Sequence, residues 1–226
     1  MTASATPQVD GRSARWAGHR ERRRGELIDA AVRAIAKHGP EVSVEQMGEE
    51  AGVARTRLYK YFNDAADLGG AIADRAAEMI TTEMAAVFSV KATPLELTRS
   101  AIGAHISWLT EHGDLYRYLT MHALSSGQHA ISDVKTVIAR QLVEVFEFYL
   151  RTFGAEPVPV LNPLAHGIVG MVESSTNNWL DAPGEVTAEQ LSEWLTDWTW
   201  TLLDQTLRSH GLEIDPEAPL PVAEGS

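Results

Sequence analysis

The sequence contains no cysteine, few basic residues and no long hydrophobic run. Without cysteine, the chain has neither a disulfide framework nor a thiolate nucleophile. No apolar run approaches the roughly 20 residues that a membrane-spanning helix needs, and residues 1–17 contain no hydrophobic signal segment. We therefore expect a cytoplasmic protein with no membrane association. Because 44% of its residues are hydrophobic, the chain can bury a sizeable core.

The motifs of several common enzyme classes are absent as well. The chain has no G-x-S-x-G, no H-E-x-x-H and no phosphate-binding glycine-rich loop. Its histidines are scattered without metal-ligand spacing, so we expect His105 and His122 to be core residues with satisfied hydrogen bonds. These absences predict a protein that is not an enzyme and that has no cofactor and no metal site.

The shortage of basic residues is uneven along the chain. The net charge is −12, but residues 1–65 carry 11 Lys and Arg against 9 Asp and Glu, a net charge of +2. The remaining residues carry 8 against 22, a net charge of −14. This asymmetry is compatible with an N-terminal head that meets a polyphosphate and a body that does not.

Helix boundaries are marked along almost the whole chain, and no segment shows the alternation of a strand. Gly39 and Gly52 end the first two helices, and Ser43 with Gln46 forms a capping-box pattern between them. The pattern predicts an all-α fold of about nine helices, with a three-helix head and a long fourth helix that leads into a larger body. We expect helices at approximately 22–37, 43–52, 55–62, 64–88, 94–113, 114–126, 132–153, 162–183 and 187–211.

These boundaries divide the chain into four parts. Residues 1–19 are polar and contain Pro7, Gly11 and Gly18, so we expect a disordered arm. Residues 20–66 form the head, and residues 67–211 form the body. Residues 212–226 contain three prolines and are expected to be a flexible tail.

Residues 43–62 have the layout of a helix-turn-helix, in which two short helices meet at a rigid corner and one of them enters the major groove of DNA. Arginine can donate two hydrogen bonds to guanine, whereas lysine and tyrosine suit phosphate oxygens. For the arginines of the second short helix, base and phosphate contacts remain equal alternatives. We predict DNA contacts from Ser43, Val44, Arg55, Thr56, Arg57, Tyr59, Lys60 and Tyr61.

This segment resembles the head of TetR-family (tetracycline-repressor-like) transcriptional regulators. The matching residues, in the family's order and spacing, are Ala30-Ala31, Gly39, Ser43-Val44, Ala51-Gly52-Val53, Leu58-Tyr59 and Tyr61-Phe62. Three positions depart from the family pattern. Ala54 replaces the usual serine that caps the recognition helix, Thr56-Arg57 replaces a Gly-Thr pair, and Ala65 replaces a lysine.

The resemblance also implies a ligand cavity among the fifth to seventh helices and a homodimer formed by the eighth and ninth. Gly167, Gly170 and Ser174 permit close approach of the eighth helix to another helix, and the ninth helix has more apolar surface than one buried face needs. The candidate ligand-binding residues are aromatic, methionine or polar side chains of the body: Trp108, Tyr116, Met121, Phe146, Tyr149, Glu173, Asn177 and Trp179. For Glu173 and Asn177, a hydrogen bond across the dimer is an equal alternative.

The function that the resemblance implies is a dimeric repressor that binds a palindromic operator in double-stranded DNA and leaves it when a small molecule binds. We expect that effector to be a neutral lipophilic or a cationic compound, since an acidic body repels anions. A DNA-binding regulator without an effector, or an activator, is an alternative. A helical enzyme with an accessory DNA-binding head is a further alternative, which the missing motifs disfavour.

Overall fold

The computed structural model describes residues 11–126, 130–156 and 158–220, and within these ranges the chain folds into nine α-helices and no strand. This confirms the predicted all-α fold. The helices are α1 (Gly11–His38), α2 (Val44–Glu50), α3 (Arg55–Leu58), α4 (Ala65–Phe88), α5 (Pro94–Glu111), α6 (Gly113–Ser126), α7 (Ala130–Thr152), α8 (Leu161–Asp181) and α9 (Ala188–Ser209).

Local capping fixes where several helices begin. At α2, the Gln46 N–H donates to Ser43 Oγ at 3.3 Å and the Ser43 N–H donates to Gln46 Oε1 at 2.8 Å. Thr187 and Gln190 form the same reciprocal pair at α9. Asp64 caps α4 by accepting the Asp67 N–H. Each pair satisfies backbone donors that a helix start otherwise leaves without an intrahelical partner.

Two expectations about the chain ends need correction. Helix α1 begins at Gly11 rather than at Arg22, so residues 11–19 of the expected arm are helical. Residues 12–24 are mostly Arg, Ala and Glu, which favour helix, and contain no proline. The described part of the expected flexible tail is packed: Leu220 is buried, and its N–H donates to the Ala92 carbonyl at 2.9 Å. Residues 1–10 and 221–226 lie outside the described residues.

One hydrophobic cluster joins the three N-terminal helices to the body, and we call it the head core. It combines Leu58 and Phe62 with side chains of α1 and α4, and it continues into α6 through Tyr118 and Leu119. The first half of α4 is therefore embedded in the same core as the residues that support α3. Its members include Leu27, Ile35, Met47, Leu58, Phe62, Leu68, Ile72, Trp108, Leu115, Tyr118 and Leu119.

Separate clusters hold the rest of the body together. The largest of them packs α5, α8 and α9 around Ile106, Val172 and Leu195. Another places Leu220 of the C-terminal segment against Leu97 of α5 and Tyr149 of α7. The C-terminal segment therefore packs against the helices of the body.

Candidate functional site

The corner between α2 and α3 depends on two glycines. Gly52 has a φ of +66°, a backbone conformation that residues with a side chain rarely adopt. Gly48 lies where a Cβ atom would stand 2.7 Å from the carbonyl oxygen of Val53. The Val53 N–H donates to the Gly48 carbonyl at 2.8 Å and closes the turn. These contacts hold α3 at a defined angle to α2, as a helix-turn-helix requires.

Helix α3 is shorter than predicted. It ends at Leu58 rather than near Phe62, and the following residues form a tighter turn in which the Tyr61 N–H donates to the Leu58 carbonyl at 2.9 Å. The turn brings both Leu58 and Phe62 into the head core, where each is almost fully buried. At the start of α3, Ala54 has the extended backbone of a cap residue but makes no side-chain cap hydrogen bond.

The predicted DNA contacts separate into exposed and partly buried groups. Arg55, Thr56 and Arg57 of α3 are exposed, as are Lys60 in the next turn and Ser43 at the start of α2. The partly buried members are Val44, Tyr59 and Tyr61, of which the first and last also pack against the head core. Among the described residues, no hydrogen-bond or ion-pair partner is found for the Arg57 guanidinium.

Arg55 is oriented by its neighbours on the protein surface. Its guanidinium forms an ion pair with the Glu45 carboxylate, and its central carbon lies 5.6 Å from the centre of the Tyr59 ring. The hydrogen bond between the two side chains lowers the pKa of Glu45 and raises the pKa of Arg55. Both side chains are about half exposed, so the pair can exchange for a nucleic-acid contact with little loss of stability.

The N-terminal half of α1 approaches the end of the helix-turn-helix, a contact that the sequence did not reveal. Arg20 Nη2 donates to the Lys60 carbonyl at 3.3 Å. Arg24 is partly buried in the head, where it pairs with Asp67 at 3.0 Å and lies 4.8 Å from the centre of the Phe62 ring. Of these two arginines, only Arg20 is exposed toward solvent.

The body contains a cavity of about 180 Å³ between α4, α5, α7, α8, α9 and the C-terminal segment. Among the described residues, no Asp, Glu, Lys or Arg contributes to its wall. Its lining includes Met84 and Phe88 of α4 and Ile214 and Leu220 of the C-terminal segment. Most of the remaining wall is aliphatic or aromatic, including Leu97, Ile102, Leu142, Val145, Ile168 and Leu203.

Two of the eight predicted ligand-binding residues, Phe146 and Tyr149, line this cavity. Trp108 instead belongs to the head core, and Met121 is 42% exposed on α6. Trp179 packs between α8 and α9, and its indole N–H donates to the Val186 carbonyl at 2.8 Å.

The other three candidates form a polar network beside the cavity. The Tyr116 hydroxyl donates to the buried Glu173 carboxylate, which also pairs with Lys135 Nζ at 2.7 Å. Asn177 Nδ2 donates to the Glu173 carbonyl at 2.9 Å. Burial and the neighbouring carboxylate raise the pKa of Tyr116. The buried Glu173 carboxylate thus has a hydrogen-bond donor and an ion-pair partner, and these contacts link α6, α7 and α8.

Three polar atoms on the cavity wall are buried without a hydrogen-bond partner among the described residues: His105 Nε2, the Tyr149 hydroxyl and Thr199 Oγ1. Burial lowers the pKa of His105 to about 4, against an opposing influence from the Glu173 charge. The expectation of a satisfied His105 was therefore wrong, whereas His122 Nδ1 lies 3.0 Å from the Tyr118 carbonyl. Thr199 was missed because nothing in its local sequence marks it.

Helix α9 has two apolar faces. Leu191, Leu195 and Leu203 are buried inside the body. On the adjoining face, Trp194, Trp198 and Leu202 are 44%, 47% and 41% exposed. Within the described ranges, no helix is long and apolar enough to cross a membrane, and no cluster of three or more acidic or histidine side chains is placed to hold a metal.

Comparison with known proteins places these features in a family. The family model described as "Bacterial regulatory proteins, tetR family" matches residues 27–76, which include the whole helix-turn-helix. The uncharacterized HTH-type transcriptional regulator Rv0472c of Mycobacterium tuberculosis is 31% identical over 220 residues, covering 96% of this chain and 93% of that protein.

Solved structures share the fold at lower identity. A tetR-family regulator from Streptomyces coelicolor aligns with a TM-score of 0.65 at 20% identity, covering 84% of this chain and 83% of its own. FadR from Bacillus subtilis, solved in complex with stearoyl-CoA, aligns with a TM-score of 0.60 at 21% identity, covering 77% of this chain and 96% of FadR. Together with the helix-turn-helix geometry, the family match and the relative at 31% identity show that this chain belongs to the tetR family of bacterial regulatory proteins and is a DNA-binding transcriptional regulator.

Proposed function

We propose that the chain is a homodimeric repressor that binds a palindromic operator in the cytoplasm and leaves it when a small lipophilic molecule binds in the body. The position of α4 carries this proposal. Leu68 and Ile72 in its first half pack in the head core, and Met84 and Phe88 near its end line the cavity. A ligand that displaces the second half of α4 therefore also displaces the support of α3.

The exposed face of α3 supplies the base contacts in this proposal. Arg57 has no competing partner among the described residues, so two of its N–H donors are available for a guanine edge. Arg55 exchanges Glu45 for a base or a phosphate. Lys60 and Tyr59 contact phosphates, which position the helix without carrying sequence information. Arg20 replaces the phosphate contact that is missing at Ala65.

The uncovered face of α9 supports a dimer. Three large apolar side chains at four-residue intervals form a stripe of the kind that a helix bundle buries. On α8, a Cβ atom at Gly167 or Gly170 would meet nothing within 4 Å, although glycine inside a helix costs about 1 kcal/mol relative to alanine. A partner helix packed closely against α8 explains both glycines. Such a dimer presents two heads to successive major grooves, about 34–36 Å apart.

Release requires that the ligand bind the DNA-free arrangement more tightly than the DNA-bound one. A ligand wedged between α4 and the other cavity helices satisfies this condition if it favours a spacing of the heads that no longer matches successive grooves. That FadR from Bacillus subtilis was solved with stearoyl-CoA supports a lipophilic effector for a protein of this fold.

The proposal is tested by selecting genomic DNA fragments with the purified protein and then deleting its gene. We expect a palindromic site and increased transcription of the adjacent genes in the deletion strain. Decreased transcription would show an activator and contradict repression. Enrichment of fragments without any shared sequence would contradict specific recognition.

A further inference from the structure

The three unpartnered polar atoms of the cavity come from three different helices. His105 lies on α5, Tyr149 on α7 and Thr199 on α9. Only one other buried side-chain polar atom among the described residues lacks a partner, the Trp108 indole nitrogen, which is outside the cavity. Buried polar groups in proteins are almost always hydrogen-bonded. Their concentration on one wall therefore requires an explanation.

Replacement by apolar side chains would be simple at two of these positions. Tyr149 is 8% exposed and Thr199 is 4% exposed, and phenylalanine or valine of nearly the same shape would leave no unpaired hydroxyl. An unsatisfied hydroxyl weakens the ligand-free protein. A hydrogen-bonding partner inside the cavity accounts for the presence of both hydroxyls, and ordinary core packing does not.

The rest of the wall determines the charge of that partner. No lining side chain in the part of the chain that the structure describes carries a formal charge when His105 is neutral, and burial keeps His105 neutral near pH 7. A carboxylate or phosphate inside the cavity would lose its hydration without gaining a counter-ion. An uncharged oxygen has no such penalty, and the three side chains offer it both donors and acceptors.

We propose that the cavity is a site for an uncharged ligand with an aliphatic body and one hydroxyl or carbonyl oxygen, which hydrogen-bonds to Tyr149, Thr199 and His105. The role of this ligand as an effector rests on the proposed function above. The cavity is slightly larger than one of about 150 Å³ that holds benzene, so the enclosed part of the ligand has roughly eight non-hydrogen atoms. Medium-chain alcohols and ketones have this chemistry and size.

The test is isothermal titration of the full-length protein, without DNA, with heptanol, heptanone, heptane, heptanoate and heptanoyl-CoA. The alcohol and the ketone are expected to bind at least tenfold more tightly than the other three. Tighter binding of heptanoate or heptanoyl-CoA would overturn the uncharged assignment. Equal binding of heptane would overturn the role of the polar atoms, and no binding of any probe would overturn the site.

Variants separate the polar contacts from the shape of the cavity. Tyr149→Phe and Thr199→Val are each expected to weaken heptanone binding about two- to tenfold, as loss of one neutral hydrogen bond does, and to leave heptane binding unchanged. Thr196→Val is the matched control, since this buried threonine lies on the same helix and donates to the Ser192 carbonyl instead. Equal weakening by the control would contradict the assignment. Ala101→Phe, which adds a ring to the wall, is expected to abolish binding.

Operator binding measured with and without heptanone distinguishes this inference from the proposed function. Selective binding of heptanone with unchanged operator affinity would support the site and contradict ligand-dependent release. Operator release by a charged probe that binds more tightly than heptanone would support the proposed function and overturn the uncharged ligand.

Discussion

The start of α3 provides a quantitative test of how the recognition helix is built. Ala54 has φ −70° and ψ 150°, close to the φ −80° and ψ 158° of Ser43, whose side chain caps α2. A serine at position 54 therefore has the backbone needed to cap α3 without any rearrangement. Its Oγ can accept an N–H from the first turn, most directly that of Thr56, because the Arg57 N–H already donates to the Ala54 carbonyl.

The expected gain in stability from Ala54→Ser is about 1 kcal/mol, the usual difference between serine and alanine at a helix N-cap. For a chain of this length, that gain corresponds to an increase in Tm of about 2–4 °C. Thermal unfolding followed by circular dichroism, at a fixed protein concentration because a dimer's Tm depends on it, measures the change.

Ala36→Ser is the matched control. Ala36 is exposed in the last turns of α1, where a serine side chain caps no helix start, so this change is expected to lower stability by about 0.5 kcal/mol. An unchanged or lower Tm for Ala54→Ser would refute the reasoning. It would mean that the packing of Leu58 alone determines where α3 begins.

Three further predictions concern the DNA surface, the dimer and the cavity. Glu45→Gln removes the ion-pair partner of Arg55 and should tighten DNA binding, measured by fluorescence anisotropy. The increase should exceed that of Glu49→Gln, an equal charge change on an exposed side chain of the same helix. Equal effects would contradict the exchange of Glu45 for DNA at Arg55. Trp198→Glu should convert the proposed dimer to a monomer in sedimentation experiments, whereas Val90→Glu, at an apolar residue of similar exposure outside α9, should not. The pKa of His105 is about 4 in the folded protein and about 6.5 in the unfolded chain, so the free energy of unfolding should decrease as the pH falls between these two values. Urea titrations of His105→Leu should show a smaller decrease.

The head was predictable because its signals are local. Ser43 and Gly52 each determine the backbone within four residues of themselves, and the structure shows the expected cap at the first and the expected turn at the second. Leu58 and Phe62 are both buried in the head core. The end of α3 was placed four residues too late, because the tighter turn after Leu58 is imposed by the burial of Phe62 and not by any breaker residue.

The cavity was less predictable, because its wall depends on which helix faces meet in three dimensions. Trp108 and His105 are one turn apart on α5, yet the first packs in the head core and the second lines the cavity. Its aromatic character made Trp108 the predicted ligand-binding residue, although His105 is the one that lines the cavity. The C-terminal segment was misjudged from its prolines, since Leu220 is buried against α5 and α7 and backbone hydrogen bonds tie the segment to residues 92 and 95.

The most direct test of the central claim is the affinity of wild type and Arg57→Ala for the selected operator and for unrelated DNA, over a series of salt concentrations. If the exposed face of α3 reads the DNA sequence, the variant should lose about 1–3 kcal/mol on the operator and much less on unrelated DNA. The wild type should show a steep decrease in affinity with salt on both. Equal losses on the two DNAs would show that Arg57 contacts only phosphate, and an unchanged operator affinity would contradict the assignment of α3 as the recognition helix.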